Sequence, residues 1–360
     1  MSWSELPADL ITAIAGRLTE LADLSRFRSV CPSWRSASAA HAARRRVPLL
    51  LVPTVDHRIS FNHGVWSLTD DRLREIPLLS ARDCRYMFAS NHGWMLAVKS
   101  DLSLTLVHPS VGGSADLPVV PGWFAHGDIV NHLHDMAWDW SPHGVMVSMP
   151  YIGAFFCRPG DKSWRPIVGC SSTGVTSVNY CDGAFFLFDG KVTVLDAGTL
   201  AVAAVIEPPR ALEAVPSWLR EVSLVASPEE LLLVWTPLSD WGSNGGRVRV
   251  FRTSRAAGDR STSWSEVDGI GDRAVFVDHL RAFWVEANAL NGLRGNSVYV
   301  TRSYEEGHDD YGINVRGRYT VAVLGIADDP GTGYHSSEKL VRVWWNNFWQ
   351  WPSWSWPSPH

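Results

Sequence analysis

The first 35 residues of the chain carry apolar residues at intervals of three or four positions. This spacing lines one face of a helix, and Pro7, Asp23 and Pro32 are residue types found where helices begin. The segment therefore predicts two or three short helices. Because roughly 40 residues seldom bury enough surface to fold alone, we expect these helices to need another surface to pack against. The apolar positions are Leu6, Leu10, Ile11, Ile14, Leu18, Leu21, Leu24, Phe27, Val30, Cys31 and Trp34.

The pattern of apolar positions changes after residue 46. Short runs rich in Val, Phe, Tyr and Trp, such as HGVMVSM, EELLLVW and RVRVFRTS, alternate with Gly, Pro, Asp and Ser. Runs of this kind are typical of β-strands. Asp189-Gly190 separates two such runs and is a strong hairpin signal. We therefore predict that this second region is all-β.

The second region also repeats weakly. One recurring strand precedes a strand–turn–strand pattern whose turn carries Gly93, Gly144, Gly183 or, less clearly, Arg281. The three glycines are 51 and 39 residues apart, and periods of about 40–50 with four short strands indicate a β-propeller. We predict six or seven blades; a two-sheet sandwich is the alternative, although one of roughly 300 residues normally splits into domains. The recurring strands are LREIPL (73–78), ADLPVV (115–120), SWRPIV (163–168) and SWSEVD (263–268).

Tryptophan is concentrated at the end of the sequence, where six of the 19 fall in the last 17 residues. We predict that Val341–Trp345 forms a final strand that completes the first blade beside Val47–Val52, because a propeller needs a clasp that removes its sheet edges. The alternative is an aromatic surface for a partner, since Trp is favoured at binding hot spots. The residues from Pro352 onward are left without an assignment.

Composition narrows the classes of function. Of 360 residues, 46% are hydrophobic and 19% are charged, which supports a real core, and the net charge of −5 is too small to indicate a nucleic-acid partner. No run reaches the roughly 18 apolar residues of a membrane span. Five unclustered cysteines and the absence of a glycosylation sequon favour the cytosol or nucleus. The run Arg44–Arg46 is read as a solvated linker in preference to a nuclear signal.

Candidate catalytic chemistry is sparse. GxSxG, HExxH and phosphate-loop motifs are absent from the sequence, and no cofactor is predicted. The stretch HGDIVNHLHD has side chains of the kind that ligate zinc, although a polar loop between strands is the preferred interpretation. These weak metal candidates are His126, His132, His134 and Asp135, with Asp128 beside them.

The helical segment closely resembles an F-box. The Leu-Pro start, the Arg-Leu and Asp-Leu pairs, RFRSVC and the following Trp-Arg match that motif in order and spacing. The remainder resembles the large plant group of F-box proteins whose C-terminal domain was long known only as a domain of unknown function. The matching pieces are GWMLAV, FFCRPGDKSWRPI, YCDGAFFLFDGKVTVLD, GIGDRAVFV and LRGNSVYVT. Two features depart from the pattern of this group. One is Gly16, since glycine inside a helix costs about 1 kcal/mol relative to Ala, and the other is the insertion-like segment 237–246; neither removes an apolar position of the F-box.

The resemblance implies an α+β multidomain protein with a helical F-box over residues 1–40, a linker over 41–46 and a β-propeller-like domain over 47–360. It implies a Skp-type adaptor as partner and, through it, the cullin and RING subunits of an SCF-type ubiquitin ligase. The propeller is then expected to recognise a protein target, and the chain is expected not to be an enzyme. A tether outside the ligase remains open, as does, less favoured, a propeller enzyme or metal-binding protein.

The F-box resemblance also implies a set of residues that contact the adaptor. Ile11, Leu21 and Phe27 lie off the main apolar stripe and are expected inside the domain. The contact candidates are Leu6, Pro7, Leu10, Ile14, Leu18, Leu24, Val30, Cys31 and Trp34.

Overall fold

A computed structural model of the chain shows mostly β-sheet, in a propeller arrangement with few helices. No helix among the described residues is long and apolar enough to cross a membrane. The structure describes residues 6–18, 21–44, 47–55, 61–68, 72–75, 84–90, 93–99, 101–108, 113–121, 136–149, 152–168, 177–213, 221–236, 247–255, 263–278, 281–306, 316–326, 339–342 and 353–355.

Among the described residues, four short helices precede the sheets, and one more lies between two of them. Their ranges are α1 Ala8–Arg17, α2 Leu21–Arg28, α3 Pro32–Ala37, α4 Ala39–Arg44 and α5 Arg210–Glu213. Helix α4 occupies residues 41–44, which the sequence assigned to a linker. The alanine-rich stretch before Arg44 is a good helix former, which accounts for this extension.

The described strands form six sheets, where the sequence predicted six or seven blades. Sheet 1 contains β1 Leu49–Val55, β2 Phe61–Ser67, β3 Arg72–Glu75 and β25 Ser353–Ser355. Sheet 2 contains β4 Cys84–Ala89, β5 Met95–Lys99, β6 Leu104–His108 and β7 Gly113–Leu117. Sheet 3 contains β8 Ala137–Ser141, β9 Gly144–Met149, β10 Gly153–Cys157 and β11 Arg165–Pro166.

The remaining three sheets follow in chain order. Sheet 4 contains β12 Ser177–Cys181, β13 Ala184–Phe188, β14 Val192–Asp196 and β15 Val202–Ile206. Sheet 5 contains β16 Glu221–Ala226, β17 Glu230–Thr236, β18 Arg249–Ser254 and β19 Ser265–Val267. Sheet 6 contains β20 Arg273–Val277, β21 Ala282–Glu286, β22 Ser297–Glu306, β23 Arg316–Gly325 and β24 Lys339–Arg342.

A separate hydrophobic cluster fills each junction between neighbouring sheets. Sheets that follow each other in the chain pack face to face. The last sheet, sheet 6, also packs against the first through Phe276 and Leu50, so the six sheets close into a ring. The core of this region therefore lies between the sheets. Buried side chains of the other junctions include Leu51 and Met87 (sheets 1 and 2), Trp138 (2 and 3), Phe185 (3 and 4), Phe251 (4 and 5) and Val275 (5 and 6).

The weak repeat corresponds to the sheets. The recurring strand is the outermost strand of sheets 1, 2, 3 and 5, where it forms β3, β7, β11 and β19. Each is followed by the hairpin that begins the next sheet, namely β4–β5, β8–β9, β12–β13 or β20–β21. Both turn residues of the third hairpin, Asp182 and Gly183, have positive φ (48° and 77°), as a type I′ turn requires. The predicted hairpin at Asp189-Gly190 is confirmed between β13 and β14.

The C-terminal part of the chain closes sheet 1, but with a different segment from the predicted one. Strand β25 pairs with β1, and Trp354 lies opposite Leu50. The predicted clasp beside Val47–Val52 therefore exists, but it is formed by Ser353–Ser355; the predicted strand Val341–Trp345 is wrong for Val341 and Arg342, and residues 343–345 lie outside the described residues. Strand β24 pairs with β23 in sheet 6. The long strand β23 offers a sheet edge that needs a partner, and the chain reaches this edge before it returns to β1.

A buried carboxylate joins sheet 3 to sheet 4. Asp139 on β8 is fully buried, and its two oxygens accept the backbone N–H groups of Trp140 at 2.8 Å and of Tyr180 on β12 at 2.7 Å. Asn179 continues this link, because its Nδ2 donates to the carbonyl of Leu224 in sheet 5 at 3.2 Å. The charged residue within the apolar run AWDW was the sequence signal for this contact, and sequence reasoning did not interpret it.

Replacing Asp139 by alanine is expected to lower the free energy of unfolding by about 3 kcal/mol, because two backbone N–H groups lose a buried acceptor. Asparagine keeps one acceptor oxygen, so its effect should be about half as large. Chemical unfolding measures both changes. Asp161→Ala is the matched control, since this carboxylate is exposed and accepts the Arg158 N–H at 3.0 Å at the surface. If Asp139→Ala is as stable as the unchanged protein, Asp139 does not stabilise the junction between sheets 3 and 4.

Candidate functional site

The N-terminal helices enclose a small core of their own. Phe27 and Trp34 contact each other with ring centroids 4.4 Å apart. The Thr12 hydroxyl joins α1 to α3 by donating to the Ala37 carbonyl at 3.0 Å. These contacts make the helices one packed unit. Its buried members are Ile11, Ala15, Leu24, Phe27, Trp34 and Ala42.

Local sequence explains where the helices begin. Pro7 precedes α1, its carbonyl accepts the Ile11 N–H at 3.1 Å, and Asp9 lies in the positive first turn. Cys31 has an extended backbone and precedes α3, whose first residue is Pro32. The apolar spacing of α1 then turns Ile11 and Ala15 inward.

Three large apolar residues among the described side chains of this unit remain exposed after its core is filled. The exposed fractions are 49% for Leu10, 39% for Ile14 and 56% for Val30. Leu10 and Ile14 lie one turn apart on α1, beside the buried positions. Exposed apolar residues on so small a unit are a typical feature of binding surfaces. We refer to Leu10, Ile14 and Val30 as the exposed apolar set.

The structure divides the predicted adaptor contacts into three groups. Pro7, Leu10, Ile14 and Val30 are exposed. Leu6, Leu18 and Cys31 are half-buried and pack against the core cluster. Leu24 and Trp34 are buried in the free chain, where they support the surface from beneath, and their direct contact with an adaptor stays a prediction. The expected burial of Ile11 and Phe27 is confirmed, and the side chain of Leu21 lies outside the described residues.

Several arginines lie in the last turns of these helices. Arg17 lies in the last turn of α1, and Arg26 forms a 2.9 Å ion pair with Asp23. Partial burial lowers the pKa of the Arg28 guanidinium, and the neighbouring charge of Arg35 lowers it further. Among the described residues of this unit, the arginines outnumber the carboxylates of Asp9 and Asp23, so the described part of the unit carries a net positive charge.

Cys31 is the one cysteine among the described residues whose thiol pKa is lowered. Hydrogen bonds from the Ser33 side chain and from the Trp34 backbone lower the pKa of its thiol. Burial instead raises the pKa of Cys84 to about 12 and that of Cys157 to about 11. Since the thiolate is the reacting form, Cys31 should carry more of it at neutral pH.

Brief iodoacetamide treatment at pH 7.5 is therefore expected to label Cys31 well before Cys84 or Cys157, as measured by peptide mass spectrometry. The difference in labelling rate between Cys31 and the two buried cysteines should become smaller as pH rises, because Cys31 is fully converted to thiolate at a lower pH than they are. Cys31→Ser should remove the fast-labelled peptide. Equal labelling rates at Cys31 and Cys84 in the folded protein would contradict this prediction.

The described part of the propeller contains no group of three or more His, Cys, Asp or Glu side chains placed to hold a metal ion. The weak metal candidates His126, His132, His134 and Asp135 lie outside the described residues. The insertion-like segment 237–246 also lies outside them.

Comparison with known proteins gives a consistent set of relatives. Residues 65–322 match the family model of the KIB1-4 beta-propeller. F-box protein At2g26160 of Arabidopsis thaliana is 36% identical, with 82% of this chain and 94% of the relative covered. F-box protein SKIP23 of the same plant is 25% identical, with 86% of each covered. Putative F-box protein At4g22660, also from that plant, is 22% identical, with 84% of this chain and 87% of the relative covered.

The family match agrees with the architecture. It begins within β2 and ends within β23, so it includes all of sheets 2 to 5 and parts of sheets 1 and 6. The relatives extend the similarity beyond the propeller to most of the chain. This protein therefore belongs to the KIB1-4 beta-propeller family and is related along most of its length to plant F-box proteins.

Proposed function

We propose that this protein is the substrate-recognition subunit of an SCF-type E3 ubiquitin ligase. The N-terminal helices bind a Skp-type adaptor, which connects the chain to cullin and RING subunits, and the propeller binds a protein target. The chain itself performs no catalysis. It raises the local concentration of the target's lysines near the conjugating enzyme, which is a proximity effect. We place this activity in the cytosol or nucleus.

The exposed apolar set is the observation that carries the proposal. The helical unit already has a filled core around Ile11 and Trp34, yet Leu10, Ile14 and Val30 remain in contact with water. Covering three such side chains with a partner contributes several kcal/mol, at about 1.5–3 kcal/mol for each complete burial. The names of the relatives supply the kind of partner, because they are F-box proteins.

The propeller supports the second half of the proposal. Its six sheets build a rigid ring, and the connections between strands present surfaces that vary without disturbing the sheets. Fold alone does not identify a function, so the target-binding role rests on the combination of an adaptor-binding unit with such a ring.

Reconstitution from purified components tests the proposal. The full chain is mixed with a Skp-type adaptor and a cullin–RING pair, and an equimolar complex is expected by size-exclusion chromatography with light scattering. In plant cells lacking this protein, at least one protein should accumulate and should return to its normal level when the unchanged chain is restored. Failure to bind the adaptor would overturn the proposal. Adaptor binding without any accumulating protein would overturn the ligase role and favour a tether.

A further inference from the structure

The exposed apolar face of α1 ends in a positive charge. Leu10, Ile14 and Arg17 are spaced by four and three residues, so their side chains lie on one face of the helix. All three are exposed, whereas Ile11 and Ala15 on the neighbouring face are buried. Arg17 therefore borders the two apolar side chains and extends the same surface by one turn.

Within the described residues, no carboxylate neutralises Arg17. Asp9 is the other charged residue of α1, and it lies roughly 12 Å away along the helix at 1.5 Å per residue. Asp23 is already paired with Arg26 at 2.9 Å. The guanidinium of Arg17 is therefore exposed to water beside an apolar surface that the proposed function assigns to a partner.

A second arginine borders Val30. Arg35 lies on α3 and is exposed, and its Nε donates to the Arg28 carbonyl at the end of α2 at 3.4 Å. The Arg35 side chain therefore reaches back to α2 across the connection 29–31, which carries the exposed Val30. The exposed apolar set is thus bordered by arginine on α1 and again between α2 and α3.

The charges at this second position repel each other. Partial burial lowers the pKa of the Arg28 guanidinium, and the nearby charge of Arg35 lowers it further. Two positive groups held close together are stabilised when a negative group is placed beside them. The arrangement of Arg28 and Arg35 therefore favours a partner that brings negative charge to the edge of the apolar surface.

We infer that Arg17 and Arg35 select the adaptor by its charge, each pairing with a carboxylate that borders the adaptor's apolar surface. This pairing rests on the proposed function, whose partner it describes more closely. A guanidinium suits the role because its planar N–H donors match a carboxylate in two parallel hydrogen bonds. An adaptor surface with a basic border would cover the same apolar side chains but would bring like charges together.

Removing the two charges tests this pairing in the full chain. Arg17→Gln/Arg35→Gln should raise the dissociation constant for a Skp-type adaptor roughly ten-fold at roughly 50 mM salt, mainly through slower association. Raising the salt to roughly 500 mM should weaken binding of the unchanged chain by a similar factor, because ions screen charges at the edge of an interface. The double variant should hardly respond to salt. Surface plasmon resonance with immobilised adaptor measures both rates.

Two control variants make the result specific. Arg17→Lys/Arg35→Lys keeps both charges, so it should keep the salt dependence even where the two parallel hydrogen bonds are lost. Arg26→Gln removes one charge from the same helices, but this arginine is already paired with Asp23, so the affinity should change by less than about two-fold. Circular dichroism and thermal unfolding confirm that each variant is folded, since Arg17 also stabilises the C-terminal end of α1.

The outcomes separate the charge pairing from the proposed function. If the unchanged chain does not bind the adaptor at any salt concentration, both are overturned. If it binds with an affinity that neither salt nor Arg17→Gln/Arg35→Gln changes, the charge pairing is overturned and the adaptor-binding role stands. An equal loss in Arg26→Gln would overturn the assignment to Arg17 and Arg35. A salt-dependent loss confined to the glutamine pair would establish that these two charges select the adaptor.

Discussion

Replacing both Leu10 and Ile14 by aspartate is expected to abolish capture of a Skp-type adaptor by the full chain. Both side chains are exposed in the free protein, so the substitutions should leave the helical core intact. In a complex they would bury two unpaired carboxylates, which costs several kcal/mol and corresponds to a loss of affinity of at least roughly 100-fold. Surface plasmon resonance with immobilised adaptor measures the loss.

A matched control makes the same chemical change elsewhere. Val168 and Leu290 are exposed apolar residues of the propeller, with exposed fractions of 86% and 43%. The double variant Val168→Asp/Leu290→Asp should bind the adaptor like the unchanged chain. If Leu10→Asp/Ile14→Asp also binds normally while remaining folded, the exposed apolar set is not the adaptor surface.

Ending the chain after residue 352 is expected to destabilise the propeller strongly. The truncation removes β25, whose residues pair with Leu49, Leu50 and Leu51 of β1. Leu50 and Leu51 are fully buried, so loss of the backbone pairing and partial exposure of these side chains should lower the free energy of unfolding by on the order of 5 kcal/mol. Thermal unfolding followed by circular dichroism should show a decrease in Tm of at least roughly 10 °C.

A second truncation isolates the contribution of the strand. Ending the chain after Ser355 retains β25 and removes only the residues beyond it, so its Tm should stay close to that of the full chain. If neither truncation lowers the Tm, β25 is not the clasp. If both lower the Tm equally, the stabilisation comes from the residues after the strand.

Local patterns in the sequence were sufficient for the elements and for part of their order. Apolar spacing predicted the helices at Ala8–Arg17 and Pro32–Ala37, because helix periodicity is a property of neighbouring residues. The hairpin at Asp189-Gly190 could be predicted for the same reason. The recurring outer strands were visible as a repeat because each sheet packs between two neighbouring sheets in the same way, which requires a similar pattern of apolar residues.

Contacts between distant parts of the chain could not be obtained in this way. Leu24 and Trp34 share the apolar character of Leu10 and Ile14, and only the packing of the helices separates the buried pair from the exposed pair. Likewise, Asp139 became interpretable only when β12 brought the Tyr180 N–H to its carboxylate.

The sequence by itself therefore determined the helical start, the all-β remainder and its repeat, since these follow from short-range periodicity. Tertiary structure alone decided that Ser353–Ser355 pairs with β1 while Val341 and Arg342 pair with β23, and which apolar side chains stay exposed. Both depend on competition between segments far apart in the chain for the same edge or the same core. The physical reason is that apolar character favours burial without specifying against which partner a residue is buried.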